Sequence, residues 1–222
     1  MTSGRTTMTM TMTMTTIAVL GSGRVGSGLA GAFAKAGHTV VVGTRAQSTS
    51  DWAGPGVTFA DHAAAVRQSD IVVNATPGDS SLARLTALRG ELAGKILIDL
   101  ANATKRVDGR PGELCYPTGS LGELLQEALP DTRVVKALNT MLFSVMTDPH
   151  SLSVPPTAFL SADDASAKAV VRDLLISIGW PGEWIEDLGS ITTARATEAT
   201  MLLVTALVQS RGFRPIAITA AG

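Results

Sequence analysis

The stretch Thr16-Ile17-Ala18-Val19-Leu20-Gly21-Ser22-Gly23-Arg24-Val25-Gly26 decides the fold. A β-branched apolar run enters a G-x-G-x-x-G pattern, Ala/Leu-rich sequence of helical length follows from Val25 to Ala36, and a second apolar run from His38 to Val42 closes a unit of about 30 residues. In that setting each glycine has a task. Gly21 permits the tight turn, Gly23 lets the backbone approach a pyrophosphate, and Gly26 lets the helix pack close to the strand. The free N–H groups and positive dipole end of the helix then face phosphate charge. The motif predicts a dinucleotide site.

Outward from this unit the rhythm continues. Strands are expected at Thr16 to Leu20, His38 to Val42, Val57 to Ala60, Ile71 to Ala75, Lys95 to Leu100 and Val134 to Leu138, with helices at Val25 to Ala36, His62 to Gln68, Ser81 to Leu88 and Leu121 to Leu129. The continuous apolar runs at Ile71 and Lys95 are those of strands covered by helices on both faces. Ser120-Leu121-Gly122-Glu123 has the form of a capping box, and Gly37 suits a left-handed helix end. The expected class is α/β, a Rossmann-type doubly wound parallel sheet with a small C-terminal extension. Beyond the proline-marked link around Pro155, a strand at Thr157 to Leu160, a helix at Asp164 to Ile178, a strand near Trp184 to Asp187 and a helix at Thr193 to Gln209 are expected. The division is therefore a tail at 1–15, an NADP-binding domain at 16–155 and an α/β segment with a dimerisation or substrate helix at 156–222. The Met/Thr alternation from Met8 to Met14 reads as a disordered tail, with an extra strand as the other reading.

The second strand's end selects the nucleotide. An NAD site usually carries an acid about 20 residues past the motif to hold the ribose 2′-hydroxyl. Here the sequence is Val42-Gly43-Thr44-Arg45, and the first acid is Asp51. A hydroxyl and a planar guanidinium suit a 2′-phosphate. Bonds to charged groups contribute about 1.5–3 kcal/mol, roughly a ten- to hundredfold preference for NADP over NAD.

Composition narrows the rest. Eighteen Lys and Arg against 19 Asp and Glu give a net charge of −1, without the basic surplus of a nucleic-acid binder or the basic stripe of a membrane-surface helix. Cys115 is the only cysteine, so an internal disulfide or multi-thiolate metal site is not possible, and a cytoplasmic address is expected. The longest apolar stretch, Met201 to Val208, is interrupted by Thr205 and falls short of the ~18 residues of a spanning helix. Neither a nucleic-acid nor a membrane partner is expected.

The runs Ile17 to Gly26, Val41 to Arg45, Asn74-Ala75-Thr76-Pro77, Ile98 to Asn102 and Val134 to Thr140 resemble the coenzyme F420-dependent NADP oxidoreductases in order and spacing, nearly throughout from Thr16. The resemblance implies hydride transfer between NADPH and a 5-deazaflavin by a small homodimer whose C-terminal segment shapes the second cofactor's site. It assigns Gly21, Ser22, Gly23, Arg24, Val25 and Gly26 to the diphosphate, and Thr44 and Arg45 to the 2′-phosphate. Ala75, Thr76 and Pro77 would border the nicotinamide side, with Asn102, Asn139 and Met141 around the ring. Asn139 departs from the histidine that F420-reducing members carry, and resembles the NADPH domains of metal-reducing membrane proteins.

Hydride transfer between stacked rings needs close orientation and little else from a protein, so no catalytic side chain is nominated. His38, His62 and His150 read as structural or surface residues, and Asp79 or Ser80 as the cap of the following helix. Lys136, within a strand, is expected to point into a helix-covered face or to its rim. Trp180 and Trp184 read as packing anchors, and the stripe Ala196, Ala199, Leu203 and Ala206 as core or dimer packing. Asn102 and Asn139 fall at carboxyl ends of strands, where open α/β sheets bind ligands. The partner is a small redox acceptor, coenzyme F420 or another flavin-like molecule. A ferric, quinone or imine acceptor, or an NADPH-binding sensor without turnover, stands as the alternative.

Overall fold

The computed structural model describes residues 14–45, 56–107 and 110–221. The expected tail at 1–15 therefore lies largely outside the described residues. A six-stranded parallel sheet organises the chain, built from β1 (Thr16–Leu20), β2 (Thr39–Gly43), β3 (Val57–Ala60), β4 (Ile71–Asn74), β5 (Ile96–Asp99) and β8 (Arg133–Lys136) in the order β3-β2-β1-β4-β5-β8. Reversal of direction beside β1 creates the crevice in which doubly wound sheets bind nucleotides. Alternate residues of the strands feed two cores: Ile17 and Val19 join one, Ala18 and Leu20 the other.

The helices α1 (Arg24–Lys35), α2 (His62–Arg67), α3 (Gly78–Thr86), α4 (Arg89–Leu92) and α5 (Leu121–Ala128) supply the covering layers. Gly37, at φ +95°, closes α1, and the His38 amide donates to the Phe33 carbonyl as a left-handed helix end requires. Ser120 Oγ accepts from the Glu123 amide at 3.1 Å and caps α5. Asp79 and Ser80 do not cap α3. That helix starts earlier than expected, with Pro77 at its N-cap, so both residues lie inside its first turn.

A hairpin, β6 (Thr104–Val107) with β7 (Arg110–Leu114), leaves the sheet after β5 and was not legible in the sequence. Past α6 (Phe143–Thr147), strand β9 (Ala158–Leu160) pairs in parallel with β10 (Ile185–Asp187), and an isolated bridge from Lys136 to Ser161 joins this pair to the edge of the main sheet. Helix α7 (Ala165–Ser177) and Trp180 pack into the same core as β1 and α1, so the segment after Pro155 shares that core. Trp180 is 1% exposed and donates its indole N–H to the Met146 carbonyl. Trp184 lies against the His150 ring.

Helix α8 (Ala194–Arg211) is longer than the apolar run that marks it in sequence. The segment Ile191–Arg211 has a mean hydropathy of 1.2 over 18 residues, only 28% of that window buried, so it meets the length and composition of a membrane-crossing helix; the expectation that no segment would do so is corrected. An isolated run was the wrong measure, because Thr205 interrupts the sequence without interrupting the helix: its hydroxyl bonds back to the Met201 carbonyl. The inner face of α8 carries Glu198, 4% exposed, whose carboxylate accepts from the amides of Leu121 and Gly122 at the start of α5 and pairs with Lys136 Nζ at 2.8 Å. Lys136 also pairs with Asp99 at 2.8 Å and donates to the Ala101 carbonyl.

Burial works to lower the Lys136 pKa, but Asp99 and Glu198 outweigh it and hold it above the ordinary lysine value. The stabilisation is therefore complete below the unfolded-state pKa and fades only as pH rises through the folded one. Lys136→Met would leave two buried carboxylates facing each other without a cation. A loss of about 3–5 kcal/mol is expected, read from urea unfolding.

Candidate functional site

The carboxyl ends of β1, β2 and β4 converge on a cleft of about 610 Å³, lined by Gly21, Ser22, Gly23, Thr44, Arg45, His62, Ala75, Thr76, Pro77 and Arg84. Gly21 sits at φ +109°, and a side chain on it would strike the Ala75 carbonyl. At Gly26 a Cβ would lie 1.9 Å from the Gly21 carbonyl oxygen, so helix and turn touch through backbone alone. A Cβ at Gly23 would meet nothing within 4 Å. That open approach leads to the start of α1, which has no side-chain cap and no acid in its first turn. Unpaired N–H groups with open space before them fit a pyrophosphate.

At the end of β2, Gly43 lies directly against the His62 ring, 3.1 Å from where a Cβ would stand. Arg45 is exposed and Thr44 half-buried, both on this rim. Among the described residues no acid lines the cleft. His62, expected to be bland, faces into it, and burial, then Arg84, then Arg45 push its pKa below the ordinary histidine value. Arg84 was not anticipated at all. It rises from α3 into the same space and donates to Thr76 Oγ1 at 3.0 Å and Ser80 Oγ at 3.2 Å. Neither residue has a motif; His62 opens the helix that follows β3 and Arg84 stands in the second turn of the helix that follows β4, positions that only the fold makes meaningful.

Thr76 is held by Asn74, whose side-chain oxygen accepts from the Thr76 hydroxyl at 2.6 Å and amide at 3.2 Å, while its nitrogen donates to Asp99 at 2.7 Å. Gly78 packs its Cα against the Asn102 backbone, a Cβ there lying 2.3 Å from the carbonyl oxygen. Asn102 and Asn139 face each other: Asn102 Nδ2 donates to the Asn139 carbonyl at 2.7 Å, and Asn139 Nδ2 donates to Asn102 Oδ1 at 3.0 Å. Asn102 is half-buried, whereas Asn139 is 2% exposed and its Oδ1 is enclosed without a partner among the described residues. Asn139 thus stands behind Asn102. Leu138, just before it, adopts a left-handed φ of +55°, which turns the chain sharply out of β8.

Met141, 7% exposed, forms an antiparallel bridge with Ala217. Around it the segment 216–218 laces onto the sheet through Leu142 N–H to the Ile216 carbonyl at 2.9 Å and Ile218 N–H to the Thr140 carbonyl at 3.0 Å. Arg24, on the exposed rim of the glycine turn, lies 5.2 Å from the Phe143 ring centre and 6.0 Å from that of Phe213. The sequence-predicted residues thus form two groups. The glycine turn, Thr44, Arg45 and Ala75 to Pro77 share the cleft; Asn102, Asn139 and Met141 cluster beside the C-terminal strap. Among the described residues no group of three His, Cys, Asp or Glu side chains could hold a metal. Cys115 has its pKa raised by burial and Asp79.

A family model described as NADP oxidoreductase, coenzyme F420-dependent, matches residues 16–103. The crystal structure of a protein provisionally described as an F420-dependent NADP-reductase from Arthrobacter sp. FB24 is 41% identical, covers 94% of this chain and 100% of that one, and superposes with a TM-score of 0.86. This chain belongs to the coenzyme F420-dependent NADP oxidoreductase family. It is an NADPH-dependent oxidoreductase of the α/β Rossmann type. The F420-dependent NADP reductase of Methanocaldococcus jannaschii is 28% identical over 205 residues, 85% of this chain and 90% of its own. Rat metalloreductase STEAP3 is 28% identical over 190 residues, which are 84% of this reductase and 36% of that longer protein. An imine reductase from Myxococcus stipitatus in complex with NADP⁺ shares the fold at a TM-score of 0.60 and 22% identity.

Gly26→Ala forces apart the contact between turn and helix on which the phosphate cradle rests. A weakening of NADPH and NADH binding alike by about tenfold or more, at least about 1.4 kcal/mol, is expected from calorimetric titration.

Proposed function

We propose that this reductase transfers hydride between NADPH and a deazaflavin or flavin-like acceptor seated between Asn102 and the C-terminal strap. When bound, the nicotinamide and the acceptor ring supply the redox chemistry themselves. The protein's residues bind and orient. The glycine turn and the start of α1 take the diphosphate, Thr44 and Arg45 the adenosine 2′-phosphate, and Ala75, Thr76 and Pro77 the path toward the nicotinamide. Asn102, with Asn139 fixing its amide plane, presents a directional hydrogen-bonding edge beside that path.

The observation that carries the acceptor reading is the aromatic ledge. Phe143 and the 65%-exposed Phe213 flank Arg24 at the mouth of the site, and the strap brings Phe213 there by main-chain bonds to Thr140 and Leu142. A flat ring finds two apolar faces and a guanidinium beside the phosphate cradle. Mixed anaerobically with NADP⁺ and reduced coenzyme F420, the enzyme is expected to restore the oxidised deazaflavin's visible absorbance, with NAD⁺ far slower. No recovery in protein that binds NADPH would reject the deazaflavin and turn the search to flavin, ferric, quinone and imine acceptors. NADPH binding without turnover of any of them would leave the sensor.

The outer face of α8 supports a homodimer. Ala196, Ala199, Leu203 and Ala206 all lie exposed on one stripe, Leu202 and Leu203 being 48% and 53% exposed. A solvated helix face would be polar, and this one is apolar along a helix of 18 residues. A second copy of the same stripe fits it by two-fold symmetry, small residues allowing close approach. Leu202→Glu with Leu203→Glu is expected to convert a dimer to a monomer in sedimentation velocity without loss of NADPH binding.

A further inference from the structure

Arg45 alone does not account for the charge gathered at the adenosine end of the cleft. Arg84 comes from α3 and His62 from the first residue of α2, so three separate elements aim basic groups at one space. Arg84 is half-buried, its partners are the hydroxyls of Thr76 and Ser80, and no carboxylate among the described residues pairs with it. A guanidinium withdrawn from water beside neutral oxygens alone has lost hydration without gaining an anion. Its orientation is nevertheless fixed, because Thr76 is itself held by Asn74.

We propose that Arg84 and His62 complete, with Arg45, a subsite for a ribose phosphomonoester, so that the preference for NADP over NAD is divided among three elements. The inference rests on the 2′-phosphate reading of Arg45 given above. The groups facing His62 are Arg84 from α3, Arg45 beyond β2, and Asp61, whose carboxylate is engaged as the cap of α2 through the Ala64 amide at 2.8 Å. The imidazole bonds to the Gly43 backbone, and burial, then Arg84 and Arg45, lower its pKa below the ordinary histidine value. A phosphate dianion placed among the three reverses that balance. His62 then takes up a proton as the ester seats, and the affinity for NADPH falls with rising pH more than the phosphate's own titration explains.

Calorimetric titration of the full chain with NADPH and with NADH at pH about 6 and about 8 tests this in wild type, Arg45→Ala, Arg84→Gln and His62→Gln. Arg84→Gln is expected to weaken NADPH about tenfold or more while NADH affinity holds. His62→Gln is expected to flatten the fall in NADPH affinity between the two pH values by roughly threefold or more, the phosphate's own titration being common to both proteins. Equal loss of NADPH and NADH in Arg84→Gln, or no loss of either, overturns the assignment of Arg84; an unchanged pH response in His62→Gln overturns that of His62. If Arg45→Ala lowers the NADPH-to-NADH ratio and Arg84→Gln does not, only this inference falls. If neither changes the ratio, the 2′-phosphate reading falls with it.

Discussion

A lysine with 1% of its side chain exposed must be neutralised where it stands, and that requirement governs how the sheet, the C-terminal half and the cleft fit together. Lys136 lies on the edge strand of the main sheet, and its counter-ions come from β5 and α8. Glu198 does two things at once: it completes the charge balance, and it accepts the first free amides of α5. Helix α8 is therefore oriented by charge on its inner face, which leaves its apolar stripe turned outward. Asp99 continues the network through Asn74 to Thr76 and Arg84, so the side chains of the nucleotide cleft are braced by the same buried ion.

The strands of the main sheet and the glycine turn were legible because they rest on local rules. Apolar runs of strand length, the glycine spacing and the left-handed Gly37 each state their conformation within a few residues. The place of Arg45 at the cleft was legible for the same reason, since the end of β2 is marked by its own glycine. The places of Arg84 and His62 were not, because they follow from which strand ends lie side by side, and adjacency across β2, β1 and β4 is a property of the sheet. Asn139 reads as a ligand-facing residue in sequence, but Leu138 turns the chain so that Asn139 lies beneath Asn102. The β6–β7 hairpin carries Pro111 and Gly112 and so lacks the alternation that announces a strand.

Similarity to the Methanocaldococcus reductase covers most of both chains, whereas similarity to the rat metalloreductase covers about a third of that protein. Both matches extend over more than four fifths of the present chain.

The strap at 216–218 is fastened by its main chain, through carbonyls and amides that every residue except proline offers in full. These main-chain bonds therefore do not depend on which side chains it bears. The wall it contributes can change in shape and polarity by point substitution while the attachment stays the same, and the glycine turn across the cleft is untouched by such changes. One wall is held by main-chain bonds that tolerate substitution and the other by steric contacts that do not, so the two can change at different rates within one fold.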